Sequence, residues 1–217
     1  GLGSSGFIRG GSSPLIDIMT FILETYIKDI TICDKLIHFF NESRFSKLRK
    51  GPGVAYRSFD KKSTDLTIHP GERHLAPIVG EYIEQLYNCG QEYIEKYPCC
   101  NQYAPWGLTE SVNIQHYKPN EGFLLYHAER ISDEVPYSTR HLVWMTYLND
   151  VEDGGGTEFY HQNLIVKPQK GKTLIWPADW THTHRGITSP TQEKYVITGW
   201  FNYQTGVEFG GNQNANY

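Results

Sequence analysis

The sequence predicts a mainly β protein with flanking helices, a sandwich or jelly roll whose strands lie in the second half of the chain. Three observations predict it. After Pro105, short β-branched and aromatic runs alternate with turn signals, the texture of many short strands at regular spacing. Before Pro105, two longer stretches repeat apolar residues at helical intervals. The chain also carries 15 Tyr and 5 Trp, residue types that fill pleated surfaces well.

The first helical stretch runs over residues 16–40. Ile18, Phe21, Ile22 and Tyr26 begin it, Cys33, Leu36, Ile37 and Phe40 continue it, and Asp29 or Thr31 is placed to cap a helix ending near Asn41. Residues 50–53, Lys-Gly-Pro-Gly, read as a turn. A second helix is predicted over 75–97 from the stripe Ile78, Val79, Tyr82, Ile83, Leu86, Tyr93 and Ile94, with Pro98 closing it. Strands are predicted over 112–117, 123–127, 141–147, 157–161, 164–166, 173–176 and 195–203. Residues 119–122, 153–156 and 169–171 are the turns between them. The expected organisation is a Gly/Ser-rich tail over 1–13, a helical support region over 14–105, a β core over 106–205 and a Gly/Asn-rich tail over 206–217.

Composition excludes several classes. A chain of 217 residues with a net charge of −4 lacks the basic surplus of a nucleic-acid-binding surface. No apolar run reaches membrane-spanning length, and the first residues lack the charged and apolar regions of a signal peptide. Cys33, Cys89, Cys99 and Cys100 form no C-x-x-C pair. Reduced thiols in a cytoplasmic protein are therefore expected.

The chemistry-bearing residues begin with His127-Ala128-Glu129. Residues i and i+2 of an extended chain share a side, so the imidazole and the carboxylate can address one ion. His182-Thr183-His184 offers the second imidazole. Two His and one carboxylate on one face leave the opposite positions open, the arrangement of non-haem Fe(II) oxygenases. Lys194 opens the last predicted strand and, beside such a centre, calls for an anion.

In these features the chain resembles the 2-oxoglutarate oxygenases of the prolyl 4-hydroxylase type. That family shows His-x-acid, a distal His, and a basic residue nine or ten positions later. Here the ligands by resemblance are His127, Glu129 and His184, because Lys194 follows His184 by ten positions and His182 by twelve. Four further segments match in order. Tyr117 precedes His127 by ten residues across the turn Lys118-Pro119-Asn120-Glu121-Gly122. Trp144-Met145-Thr146-Tyr147-Leu148-Asn149 resembles the "YLN" strand. Gly154-Gly155-Gly156-Thr157-Glu158-Phe159 resembles "GGxTxF". Gly171-Lys172-Thr173-Leu174-Ile175-Trp176 resembles "GxxLxF". Trp200, six after Lys194, matches an aromatic at that place.

The resemblance implies a double-stranded β-helix that uses Fe(II), 2-oxoglutarate and O2 to hydroxylate an unactivated C–H bond, releasing succinate and CO2. It places Lys194, Tyr117 and Tyr147 on the cosubstrate, and peptidyl proline is the implied substrate; a peptide, protein or free amino acid suits the same core. Arg130, Arg140, Trp200 and His182 are the substrate-side candidates. One departure stands out: the family's usual metal-binding carboxylate is Asp, and this chain has Glu129. Two other classes use the same residues differently. A silent jelly-roll binding module would not turn over the cosubstrate, and a zinc hydrolase would have no need of Lys194.

Overall fold

A computed structural model describes residues 19–42, 48, 50–53 and 61–204. The two predicted tails, and residues 16–18 of the first predicted helix, lie outside the described residues. Strands β1 (Leu23–Tyr26), β2 (Lys50–Pro52), β3 (Thr64–Ile68), β4 (Trp106–Gly107), β5 (Val112–Tyr117), β6 (Arg140–Tyr147), β7 (Thr157–Phe159), β8 (Leu164–Val166), β9 (Lys172–Pro177), β10 (His184–Gly186) and β11 (Lys194–Tyr203) build two sheets. The larger has the order β1-β9-β6-β11-β5-β3-β2, with β4 added against β11; the smaller has the order β10-β7-β8. All pairings are antiparallel. Two α-helices, α1 (Thr31–Glu42) and α2 (Pro77–Lys96), accompany them.

The large sheet separates two apolar cores. On one side Leu142, Trp144, Ile175, Ile197 and Phe201 pack against Leu36, Phe40, Val79, Tyr82 and Leu86 of the helices. On the other, Val143, Tyr147, Leu174, Trp176 and Val196 meet Phe159 and Val166 of the small sheet. Neighbouring strand residues thus serve opposite cores, as the two-residue period of a strand requires. Trp144 is fully buried at the join. Gly199 makes room for it, since a Cβ there would lie 2.5 Å from the indole. The Tyr82 hydroxyl reaches Thr146 Oγ1 at 2.8 Å and the Tyr93 hydroxyl donates to Phe21 O at 3.0 Å, so the buried helix hydroxyls have partners.

The second helix falls within two residues of its predicted start and one of its predicted end. The first starts later than predicted. Asp29 Oδ1 accepts the Thr31 amide at 3.0 Å and so caps the turn where α1 opens. The residues before it form β1 instead, paired with β9. Phe21 has φ 55°, which no α-helix continues through. The sheet edge satisfies the backbone of β1, and tertiary pairing overrides the apolar spacing. Of residues 50–53, expected as a turn, Lys50–Pro52 form a short edge strand, and Thr64–Ile68, for which no strand was predicted, form β3. Residues 123–127 do not form a strand. They run past the small sheet and touch their neighbours through two isolated bridges, Lys61 with Phe123 and His127 with His184.

Among the described residues no helix is long and apolar enough to cross a membrane. The four cysteines are free, with Cys33 and Cys89 buried. If Trp144 joins helices to sheet, Trp144→Ala should cost about 3–5 kcal/mol, or roughly 6–20 °C in melting temperature for a chain of this size. A loss under about 2 °C in a thermal unfolding scan would place the stabilising core elsewhere.

Candidate metal centre

His127 and His184 face each other across a reciprocal backbone pair. The His127 amide donates to the His184 carbonyl at 2.9 Å, and the His184 amide donates back at 2.9 Å. This fixes the two rings with centroids 4.4 Å apart. Each ring is then oriented by a carbonyl: Nδ1 of His127 lies 2.8 Å from Leu125 O, and Nδ1 of His184 lies 2.9 Å from His182 O. A carbonyl only accepts, so Nδ1 carries the proton and Nε2 is left with a lone pair. Glu129 Oε1 lies 3.5 Å from Nε2 of His127 and 3.7 Å from Nε2 of His184. The three donor atoms all lie within 4.8 Å of one another.

The donor set fits an Fe(II) ion: two imidazole nitrogens and one carboxylate oxygen converge, and their remaining polar atoms are occupied by protein. The electrostatics agree. Burial, then His127, lowers the His184 pKa to about 3 against the pull of Glu129, so the ring is neutral as a ligand must be. Burial pushes Glu129 up, but its contacts with His127, then His184 and Arg140, outweigh that and hold the carboxyl down at about 2.

The centre opens into a cavity of about 920 Å3, whose walls include Tyr117, Val143, Met145, Val196, Thr198 and Trp200. Lys194 lies on its lining and is 5% exposed. Its Nζ donates to Gly155 O at 2.9 Å and stands 4.7 Å from the centre of the Tyr117 ring. Gly154 and Gly155 turn the chain there with φ of 80° and 71°, values that favour glycine. No carboxylate of the described residues pairs with Lys194. Burial alone brings its pKa down to about 8. Tyr117 is held by burial, then by the Asp65 charge, well above the usual phenol range, so it remains a donor; its hydroxyl now reaches Gln115 Oε1 at 2.7 Å.

Several sequence expectations need correction. Tyr147 does not line the cavity. Its hydroxyl is spent on Thr157 Oγ1 at 2.6 Å, and Thr157 takes the place on the wall. His182 is not at the mouth. It ends a 3-10 turn, Trp180–His182, so the extended geometry that would align it with His184 is absent. Its Nε2 turns instead to Thr20 O at 2.9 Å, while its carbonyl orients His184. Arg130 faces away, hydrogen-bonded to Arg140 O at 2.8 Å and near Asp179. The amides of Glu129 and Arg130 both donate to Ala178 O, and that bend sends the two side chains apart. Arg140 and Trp200 are on the cavity, as expected. Gly186 ends β10, and the Phe123 backbone passes 3.5 Å from where its Cβ would be.

The sequence reading missed the polar wall opposite the centre. Asp65 and Thr67 of β3 and Asn113 and Gln115 of β5 line the cavity, and Lys61 pairs with Asp65 at 2.7 Å. The signal was available. In both strands polar residues alternate with Leu66, Ile68, Val112 and Ile114, all at or near full burial on the helix side.

Fold and centre together define the class, an Fe(II)- and 2-oxoglutarate-dependent dioxygenase. Comparison with known proteins agrees. Residues 112–202 match the model of the 2OG-Fe(II) oxygenase superfamily. No curated protein matches it. A viral collagen prolyl hydroxylase from Paramecium bursaria Chlorella virus-1, solved with 2-oxoglutarate, is 20% identical with TM-score 0.60, covering 85% of this chain and 96% of its own. A Pseudomonas putida prolyl-4-hydroxylase is 17% identical with TM-score 0.61, covering 84% and 92%. A prolyl hydroxylase from Trichoplax adhaerens, solved with a hypoxia inducible factor peptide fragment, is 18% identical with TM-score 0.60, covering 85% and 84%. At these identities the likeness is one of fold, the double-stranded β-helix.

Two outcomes follow from the geometry. His184→Ala should abolish metal binding in a Co(II) titration, whereas His182→Ala should retain it; the reverse pattern would move the ligand. Lys194→Ala should raise the 2-oxoglutarate KM by about ten- to a hundredfold, since a hydrogen bond to a charged group contributes roughly 1.5–3 kcal/mol. The free lysine loses its proton as pH rises through about 8. Wild-type KM for 2-oxoglutarate should therefore climb above that pH, and a KM flat to pH 9.5 would remove Lys194 from the cosubstrate.

Proposed function

We propose that His127, Glu129 and His184 hold Fe(II), that Lys194 takes the distal carboxylate of 2-oxoglutarate, and that the substrate is a peptidyl prolyl residue. The observation that carries the cosubstrate assignment is Lys194: a buried ammonium on the cavity wall whose hydrogen-bond partners are the carbonyls of Gly155 and Ile187. A desolvated cation in that position is costly until an anion arrives.

The iron, with 2-oxoglutarate and O2, supplies the oxidation: the cosubstrate gives succinate and CO2, and one oxygen atom enters a substrate C–H bond. The rest of the work belongs to the chain. Lys194 and Tyr117 orient the cosubstrate. Val143, Met145, Val196 and Trp200 keep water from the reacting volume. The polar wall of Thr67, Asn113 and Gln115 offers hydrogen bonds on the side away from the metal.

A peptide substrate is supported by the rim. Leu125, Tyr126 and Ile131 line the cavity, and Leu125 and Ile131 are 43% and 63% exposed. Such apolar side chains around a deep polar cavity suit a polypeptide lying across the mouth with one residue inserted. The similar folds from the Chlorella virus and Trichoplax belong to proteins named as prolyl hydroxylases, one of them bound to a peptide. Four free thiols fit a reducing compartment, and we place the protein in the cytoplasm.

The experiment has two arms. Anaerobic Fe(II) protein mixed with 2-oxoglutarate should develop a weak visible charge-transfer band, and its absence would favour a silent binding module. A panel of proline-containing peptides should then stimulate succinate formation, with a gain of one oxygen atom in the peptide. Oxygen appearing only in a free amino acid would sink the peptidyl reading and leave the oxygenase in place.

A further inference from the structure

We infer that Glu110 and Arg140, with the indole of Trp200, form a clamp that makes Glu129 a one-oxygen metal ligand; all three are positioning residues. The inference rests on the reading of His127, Glu129 and His184 as the metal site.

A glutamate in this place has one more methylene than aspartate and therefore one more rotor. Unrestrained, its carboxylate can chelate through both oxygens or swing away from the ion. Here the two oxygens have different partners. Oε2 accepts from Trp200 Nε1 at 3.1 Å and from Arg140 Nη1 at 3.3 Å. Oε1 is left facing the two imidazoles. Arg140 Nη1 also holds the Glu129 main-chain carbonyl at 3.2 Å, so side chain and backbone of the ligand are gripped by one guanidinium.

That guanidinium is itself fixed. Glu110 pairs with it through two parallel bonds, Nε to Oε1 at 2.9 Å and Nη2 to Oε2 at 2.7 Å, the fork geometry that gives orientation as well as energy. Its plane lies 3.6 Å from the centre of the Trp200 ring. Asn202 Nδ2 donates to Glu110 Oε1 at 2.7 Å and anchors the far end. The side chain of Arg140 is 8% exposed, so water does not compete.

The backbone is shaped for this. Along β6, Val143 and Met145 face the cavity while Leu142 and Trp144 face the helices. Simple alternation would send Arg140 to the helix side. The register instead slips between Phe201 and Asn202 of β11: Leu142 pairs with Phe201 and Arg140 with Asn202, leaving His141 as the extra residue. This bulge turns Arg140 inward onto Glu129.

Charge works in the same direction. Glu110 balances Arg140, so the guanidinium holds Glu129 without setting an uncompensated positive charge beside the ion. Removing the Glu110 charge loosens the fork and adds that repulsion, and both effects weaken metal binding.

The test is a Co(II) titration of whole protein read by visible d–d absorption, which reports coordination as well as affinity. Glu110→Gln keeps shape and loses charge. Trp200→Phe keeps the ring over Arg140 and loses the Nε1 donor. Each should weaken Co(II) binding about tenfold, the scale at which outer partners of metal ligands act, and change the d–d band. Wild-type affinity and an unaltered band in both variants would overturn the clamp. If Glu110→Gln does not fold, Trp200→Phe decides alone. A wild-type chain whose Co(II) binding is untouched by His184→Ala would overturn the metal-site reading and the clamp with it.

Discussion

The reciprocal hydrogen bonds between His127 and His184 are the constraint on which the site depends. Residues 123–127 have no strand to hold them. Besides that pair, the segment bearing His127 and Glu129 is tied to the core by the Lys61–Phe123 bridge, the bonds to Ala178 and the hold of Arg140 and Trp200 on Glu129. The pair borrows the order of the small sheet, where β10 is locked against β7 with His184 opposite Phe159. Phe123 stacks on the His127 ring at 3.8 Å, and the Gly186 amide donates to Phe123 O at 2.8 Å. An otherwise irregular segment thereby acquires the positional accuracy that a metal centre needs. It remains open on its other side, where a substrate must enter.

The large sheet performs two incompatible tasks by using its two faces. The helix-side face is apolar and carries the weight of the fold through Trp144, Ile197 and Phe201. The cavity-side face admits charge and polar groups: Lys194 on β11, Asp65 on β3, Gln115 on β5. A buried polar group costs stability unless paired, and on the cavity side Lys61 pairs with Asp65, Tyr117 with Gln115 and Thr67 with Asn113. The bulge in β6 is the one point where a residue crosses from one side to the other, and the residue it moves is Arg140.

The sequence made the centre legible because its pattern is local. His127-x-Glu129, His184 and Lys194 keep their spacing whatever the surrounding fold does. The strands of the second half were legible for a related reason, since β5, β6, β8 and β11 carry their alternation and turns within themselves. What the sequence concealed depended on distant partners. Leu23–Tyr26 is a strand because β9 lies beside it. His182 leaves the cavity because a 3-10 turn rotates it toward Thr20. Tyr147, which the resemblance placed on the cosubstrate, packs with Phe159 and Val166, and Thr157 of the other sheet takes its hydroxyl. Arg140 lies behind a register slip between two strands 60 residues apart in number, and no single-chain periodicity carries such a slip.

The charges around the cavity identify its ligands by what they leave over. Lys61 is matched by Asp65, Arg185 by Glu158, and Arg140 by Glu110. Each pair is neutral and self-contained. Two charges remain. Glu129 shares Arg140 with Glu110 and so keeps a net negative charge, turned toward two imidazoles. Lys194 keeps a positive charge against two carbonyls and an aromatic ring. A desolvated anion beside two nitrogen lone pairs is a site for a cation, and a desolvated ammonium apart from it is a site for an anion. Fe(II) and the dianion of 2-oxoglutarate bring equal and opposite charges to those two places, so the filled cavity is as neutral as the empty one while both buried charges gain partners. The fold accepts the electrostatic cost of Glu129 and Lys194 because the helix-side core is sufficient without them, and ligand binding then returns that cost as affinity.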